Sequence, residues 1–469
     1  MSKLYIFGIG GTGSRVLKSL VNLLGSGVKC NDTIVPIVID ADSANQDLTR
    51  TMDLLNRYNR VHEQLTFGDN AQNDFFRTEI QQLSTGYTLN LVDSRQANFA
   101  QYMSLGTMSN ENQALMNLLF SKDNLDSTLT EGFMGNPNIG SIVLNQFAAS
   151  KEFQAFANGF QQGDKIFIIA SIFGGTGASG LPLLLKTLRT NNNMSNAGWI
   201  NNAPIGGVVV LPYFSVQVDK NSKIDSATFI TKAKSAMAYY MANITGNDSI
   251  DSIYYVGDNV HNVYENHEGG SEQRNDAHLI ELIAALAALD FSETGVHSSD
   301  NPALNKTVQK EFGVDSISDD MLFSNFNVKT LGKLKNPMIQ FLLFHLYLKN
   351  TYRKEWKYQP WAREGFFKKE KKLFNDKFTD TEFFRDVNAF HIAFFEWLSE
   401  MDGNKRSFAP FNLESKSLSK LVKDESAKNV SPAVMDSYLN KQSVKNMNPQ
   451  DHFMELFYRA TKQLVEDKF

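Results

Sequence analysis

Two glycine-rich runs hold the residue types in this chain best able to do chemistry. The first, Gly8-Ile9-Gly10-Gly11-Thr12-Gly13, follows the apolar run Leu4 to Phe7. The second, Gly174-Gly175-Thr176-Gly177-Ala178-Ser179-Gly180, follows the isoleucine-rich run Ile166 to Ala170. Both apolar runs read as strands buried on two faces of a parallel sheet. Glycine reaches backbone angles that other residues resist and lets the chain approach a ligand closely. Strand, glycine loop and helix start together make a phosphate cradle, where backbone N–H groups and the positive end of a helix dipole meet an anion. The plainer alternative is a tight strand-to-helix turn with no ligand. Alone, the first run also reads as a dinucleotide fingerprint.

Other candidates are weaker. The apolar run Ile34 to Ile39 ends in Asp40-Ala41-Asp42. Acids at the carboxyl end of a parallel strand lie on the ligand side of the sheet, where they can bind a ribose hydroxyl. Capping of the next helix by Asp42 or Ser43 is the other role open to this stretch. A third run, from Gly132 to Gly140, is rich in Gly, Asn and Pro and must contain a turn. His261 and His267-Glu268 lack a helical i, i+4 pairing and a cysteine partner, so a metal site is not expected there. Spacing shows no Ser-His-Asp or Cys-His constellation.

The elements that must position these residues alternate strand and helix, which predicts an α/β fold with a parallel sheet. Further strands are expected at Ile205 to Leu211 and Ser252 to Val256, and helices from Leu181, with Pro182 in the first turn, and from Ala227 to Met241. Residues 45–130 are polar and read as an insert with intermittent helix. From Asn275 to Leu289 the chain is apolar on every side beyond Glu281, the pattern of a fully buried helix capped by Asn275 or Asp276. Beyond it the sequence is largely helical, with an aromatic stripe through Phe383, Phe384, Phe390, Phe394, Phe395 and Trp397 that reads as core. The expected division is a nucleotide-binding domain at 1–274, a connecting helix at 275–291, a C-terminal domain at 292–410 and a helical extension at 411–469. A chain of 469 residues with a net charge of −5 gives no case for direct nucleic-acid binding. With Cys30 as the one cysteine, no intramolecular disulfide can form. No signal-peptide pattern and no apolar run of ~20 residues occurs. The expectation is a soluble cytoplasmic protein with at most indirect membrane association.

Taken in order, the motifs resemble those of the tubulin/FtsZ superfamily. GIGGTGSR at 8–15 is similar to its first loop and DADSANQDL at 40–48 to its second. GFMGNPNIG at 132–140 and FGGTGASGLP at 173–182 are similar to its third and signature loops. VVLPYF, DSIYYVGDN and NDAHLI, at 209–214, 251–259 and 275–280, continue the series. The resemblance implies a Rossmann-like GTPase domain of that type over roughly residues 1 to 292, followed by a divergent helical region. It implies GTP or GDP as ligand and leaves Mg²⁺ open as a companion ion. Gly10, Gly11, Thr12 and Gly13 would hold the α- and β-phosphates, with Gly174, Gly175, Thr176 and Gly177 opposite. Gly135 and Asn136 would lie near the γ-phosphate, and Asp258 and Asn275 or Asp276 near the base. The resemblance further implies a homo-oligomer or filament with hydrolysis at the subunit interface. Two departures stand out. Arg15 replaces the usual Asn of the first loop, and the family's acidic segment after the central helix is not evident. Asp300 is the residue expected to supply the missing acid.

Three functions follow as expectations. One is a GTPase that assembles into filaments. The second is a non-hydrolysing nucleotide-binding scaffold of the same fold that works through protein partners. The third is a Rossmann-type dinucleotide or adenylating enzyme, which would account for residues 8–42 but not for residues 132–182.

Overall fold

Isoleucine, valine and phenylalanine dominate the runs that become strands, because β-branched and aromatic side chains fit a pleated, buried surface. The computed structural model describes the chain except residues 1, 43–44, 69–70, 90–97, 130–132, 134–135, 218–228, 248, 260–261, 266–273, 295–306, 313–319, 352–358, 364–373, 375, 416 and 445–446. Its strands include Lys3–Ile9 (β1), Thr33–Ile39 (β2), Thr88–Leu89 (β3), Lys165–Ser171 (β4), Ile205–Val210 (β5), Phe214–Val216 (β6), Ser252–Val256 (β7), Asn262–Tyr264 (β8) and Val308–Phe312 (β9). Seven of them form one sheet in the order β3-β2-β1-β4-β5-β7-β9. All its pairings are parallel, with Leu4 opposite both Ile34 and Lys165. β6 and β8 make a separate parallel pair.

Helices cover both faces. Along β1, Leu4 and Ile6 enter one apolar cluster, and Tyr5, Phe7 and Ile9 enter the other, as a period of two requires. The helices that position the site are Gly10–Gly25 (α1), Gln46–His62 (α2), Pro137–Leu144 (α3), Gly175–Thr190 (α4), Phe229–Asn243 (α5) and Leu279–Thr294 (α6). The C-terminal region is helical, built on Val328–Thr351 (α7), Glu382–Asp402 (α8) and Pro449–Lys468 (α9). α1, α2 and α6 to α9 share the first cluster, whereas α3 and α4 share the second. The aromatic stripe of α8 is core except at Phe395, which is only partly buried; Phe383, Phe384, Phe390, Phe394 and Trp397 are at most 1% exposed. Trp397 Nε1 donates to Ser19 Oγ of α1 at 3.1 Å, tying the C-terminal helices to the first loop's helix.

Three expectations shift. α6 is buried as read, but it starts at Leu279, and Asn275 does not cap it. Asn275 instead donates from its backbone N–H and its side chain to Asp47, at 3.1 and 3.0 Å. α4 begins at Gly175, so Pro182 lies inside the helix rather than in its first turn. Proline lacks the N–H that would meet the carbonyl four residues back, at Ala178. The Tyr240 hydroxyl of α5 fills the gap, donating to Ala178 O at 3.0 Å. β9 falls in a stretch that reads as mixed and polar, because Val308-Gln309-Lys310-Glu311-Phe312 is an edge strand with no continuous apolar run. No helix among the described residues is long and apolar enough to cross a membrane.

Candidate functional site

In this strand order the chain leaves β1 toward β2 on one side, while β4 lies on the other. That makes the gap between the carboxyl ends of β1 and β4 a topological switch point, where open α/β sheets bind ligands. The two glycine loops meet there. Gly10, Gly11, Thr12 and Arg15 form one wall of a cavity of about 370 Å³, and Gly174, Gly175, Thr176 and Gly177 form the facing wall. Gly10 has φ +70°, a left-handed conformation that costs other residues energy, and a Cβ there would stand 3.4 Å from Thr176 Cβ. At Gly177 a Cβ would stand 2.5 Å from Ser171 O, so only glycine lets α4 start this close to β4.

The starts of α1 and α4 differ chemically from those of α2, α3, α8 and α9. α2, α3, α8 and α9 are capped by the side chains of Asn45, Asn136, Thr381 and Asn448. The N-cap residues of α1 and α4 are Ile9 and Gly174, neither of which makes a side-chain capping bond. No acid occupies the first turn of either helix. First-turn amides therefore face the cavity without a capping side chain, and both dipoles point positive ends into it.

Behind this wall lies a charged network that the sequence reading did not assemble. Arg15 donates from Nε to Glu281 Oε1 at 2.6 Å, from Nη1 to Asp47 Oδ2 at 2.8 Å and from Nη2 to Tyr213 Oη at 2.8 Å. Tyr213 in turn donates to Glu281 Oε1 at 2.7 Å, and the His278 N–H donates to Oε2 at 3.1 Å. Burial alone would lower the Arg15 pKa. The fields of Tyr213, Glu281 and Asp47 outweigh it and hold the guanidinium above its ordinary value, so it stays charged. Burial, with Arg15 adding to it, pushes His278 down to about 3 and keeps it neutral. Its Nε2 shares a 2.6 Å hydrogen bond with the Tyr264 hydroxyl. The available clue was Glu281 itself, a lone acid in a helix buried on all sides, since a buried charge requires a partner.

Aromatic side chains also line the cavity. Phe214, Phe229 and Tyr264 line it, with Phe214 and Tyr264 rings 5.9 Å apart. Glu265, Arg274 and Asn275 stand at the same wall. β6 and β8, which place Phe214 and Tyr264, are three-residue strands too short to show a period in sequence.

The remaining expected site residues that the structure describes lie off this wall. Gly13 packs behind it, where a Cβ would come 2.4 Å from the Gly8 carbonyl carbon. Asp40 and Asp42 are buried at the end of β2, and the Asp42 N–H donates to Asp40 Oδ1 at 3.1 Å. Asn136 caps α3 through the N–H groups of Asn138 and Ile139. Asp258 accepts from Arg406 Nε at 2.7 Å. Gly135, Asp300, His261 and His267 are outside the described residues.

No protein-family model matches the chain, and no curated protein matches its sequence. FtsZ, CetZ and TubZ chains align with it at the level of the fold. An FtsZ mutant from M. jannaschii is 16% identical with a TM-score of 0.26, over 55% of this chain and 46% of that one. CetZ2 from Haloferax volcanii, in a GTPγS-bound protofilament, is 14% identical with a TM-score of 0.30, over 64% and 61%. TubZ from bacteriophage PhiKZ, also a protofilament, is 12% identical with a TM-score of 0.27, over 66% and 67%. The chain thus spans about half the length of that FtsZ. At such scores the likeness fixes no site, and the cavity rests on its own geometry.

Proposed function

We propose that the cavity holds a guanine nucleotide by its phosphates, and that the chain self-assembles into filaments with GTP hydrolysis at the subunit interface. The observation that carries the binding is the meeting of two helix starts without side-chain caps at the switch point of a parallel sheet. Amide N–H groups and the Thr12 and Thr176 hydroxyls suit phosphate oxygens. The aromatic lining suits a base, and Asn275 lines the same cavity. Guanine and filament formation rest on the ordered motifs from residue 8 to residue 280. Residues 1–274 would form the nucleotide-binding unit, followed by the α6 connection and the C-terminal helices. Among the described residues no group of three His, Cys, Asp or Glu side chains is placed to hold a metal ion.

One observation favours the non-hydrolysing scaffold as a second reading. Asp290, near the end of α6 and one of the acids in the region where the superfamily's acidic segment would fall, accepts from Lys310, Lys329 and Tyr254. Burial works against ionisation, but these donors outweigh it and hold the carboxyl down at about 2. An acid so engaged is a poor general base.

The test is nucleotide extraction from purified protein, followed by pelleting and turnover with GTP across a dilution series. Bound GTP or GDP is expected, lost when Gly175 and Thr176 are replaced by bulky residues that leave the fold intact. Turnover per subunit should rise with concentration and fall in Asp300→Ala. Binding of NAD alone would reject the reading, and bound nucleotide without turnover would select the scaffold.

A further inference from the structure

Part of the cavity's lining is held in place by side chains from the C-terminal helices. The lining residues Arg274 and Asn275 begin a run, residues 274–278, that has no regular secondary structure. Backbone groups in such a run need partners from outside it. Side chains supply them here. The Asn275 N–H donates to Asp47, and Arg50 Nη1 donates to the Asn275 carbonyl at 3.4 Å. The Ala277 N–H donates to Glu400 Oε2 at 3.0 Å, and the Ala277 carbonyl accepts from Asn404 Nδ2 at 2.6 Å. Arg274 donates to Glu396 Oε1 at 2.7 Å. Glu396, Glu400 and Asn404 follow one another at intervals of four. One face of α8, continued into the turn after it, therefore holds the run from Arg274 to Ala277.

Asn404 has a second role. Its Nδ2 also donates to the Glu400 carbonyl at 3.0 Å. Its Oδ1 accepts from Asn262 Nδ2 and, at 3.3 Å, from the Tyr264 hydroxyl. A side-chain amide offers two N–H donors and an oxygen with two lone pairs, so all four places are taken. The Lys405 N–H adds to the contact, donating to Asn262 Oδ1 at 2.8 Å. Asn262 and Tyr264 are the two ends of β8, and Tyr264 lines the cavity. One buried side chain thus fixes β8 against the run before α6. These are the two pieces that bring Tyr264 and Asn275 to the cavity, while Asn404 and Asn262 themselves are not part of its lining.

We propose that Asn404 is a positioning residue for the nucleotide base, setting the separation of Tyr264 and Asn275 across the cavity. The proposal rests on the reading of the cavity as a guanine-nucleotide site. The glycine loops hold the phosphates and make no hydrogen bond to Asn404, so loss of Asn404 is felt through the base. The C-terminal region, although it contributes no lining residue, thereby decides how tightly the base is held.

The experiment is titration of the full chain with GTP and with tripolyphosphate, which carries the phosphates and no base. Asn404→Ala removes the amide. Asn262→Ala cuts the same contact from the β8 side at a half-buried position, and gives the answer alone if melting shows that Asn404→Ala does not fold. Each variant should weaken GTP binding by about tenfold, the effect of about one lost hydrogen bond, and tripolyphosphate binding by less than about twofold. A purely structural role would weaken both ligands alike, and that result would overturn the proposal. Wild type that binds GTP, beside a folded variant that binds it equally well, would overturn this proposal and leave the reading of the cavity standing. Wild type that fails to bind either ligand would overturn that reading and this proposal with it.

Discussion

A carboxyl buried without full solvation reverses the usual effect of pH on an acid, and Asp40 is such a group. Burial, with Asp42 beside it, raises its pKa from 3.8 to about 7, and its Oδ2 has no hydrogen-bond partner among the described residues. The folded chain therefore holds a proton between pH 4 and 7 that the unfolded chain releases. The stability from this group is full below pH 4 and is lost as pH rises toward 7, by on the order of 4 kcal/mol. His278 acts in the opposite direction. Its folded pKa of about 3 lies below the ordinary 6.5, so its contribution is present above 6.5 and lost as pH falls toward 3. Asp40→Asn, which mimics the neutral acid, should be more stable than wild type at pH 8 and similar at pH 4. Urea melts of the variant should keep the rise in stability from pH 3 to 6.5, to which His278, His345 and His391 all contribute because burial holds each below the ordinary imidazole value, and should lose the fall between pH 4 and 7. A variant with the same pH profile as wild type would place the titration elsewhere.

At the scale of elements, α1 joins the site to three other helices. Arg15 binds Asp47 of α2 and Glu281 of α6, Lys18 binds Glu400 of α8 at 2.9 Å, and Ser19 receives Trp397 of α8. Glu281→Ala would leave the buried Arg15 guanidinium short of one carboxylate. Its expected cost is about 3–5 kcal/mol in denaturant midpoint experiments, because removing one partner of a buried charge leaves part of its desolvation uncompensated. Replacing Asp47 in the same background should show strong non-additivity if the three charges act as one unit. α4 offers a second measurement. Tyr240→Phe removes the hydroxyl that meets the Ala178 carbonyl beside Pro182. The orphaned carbonyl should cost about 1–3 kcal/mol, read as a lowered melting temperature with the sheet intact. No change would mean that water replaces the hydroxyl.

At the scale of the molecule, the sheet order places both glycine loops at one edge, and the two faces divide the remaining roles. The α1, α2 and α6 face carries the charged network and the C-terminal helices, whereas the α3 and α4 face carries the Asn110–Leu119 helix.

The amino-acid sequence determined what local pattern can determine. Apolar runs marked β1, β2, β4, β5 and β7 within a few residues, because a strand buried on both faces has to be apolar throughout. Glycine spacing marked both loops, and the even apolar circumference of α6 marked its burial. Three-dimensional packing decided the rest. Arg15 lies 266 positions from Glu281, and no local rule pairs them. Whether Asn275 caps a helix or binds Asp47 is a competition between partners 228 positions apart, decided by which donor the fold brings within reach. Asp258, expected near a base, is held by Arg406 from a distant segment for the same reason. Sequence periodicity reports which face of an element is buried, but which element covers it, and hence which polar groups meet, is settled only when the chain is folded.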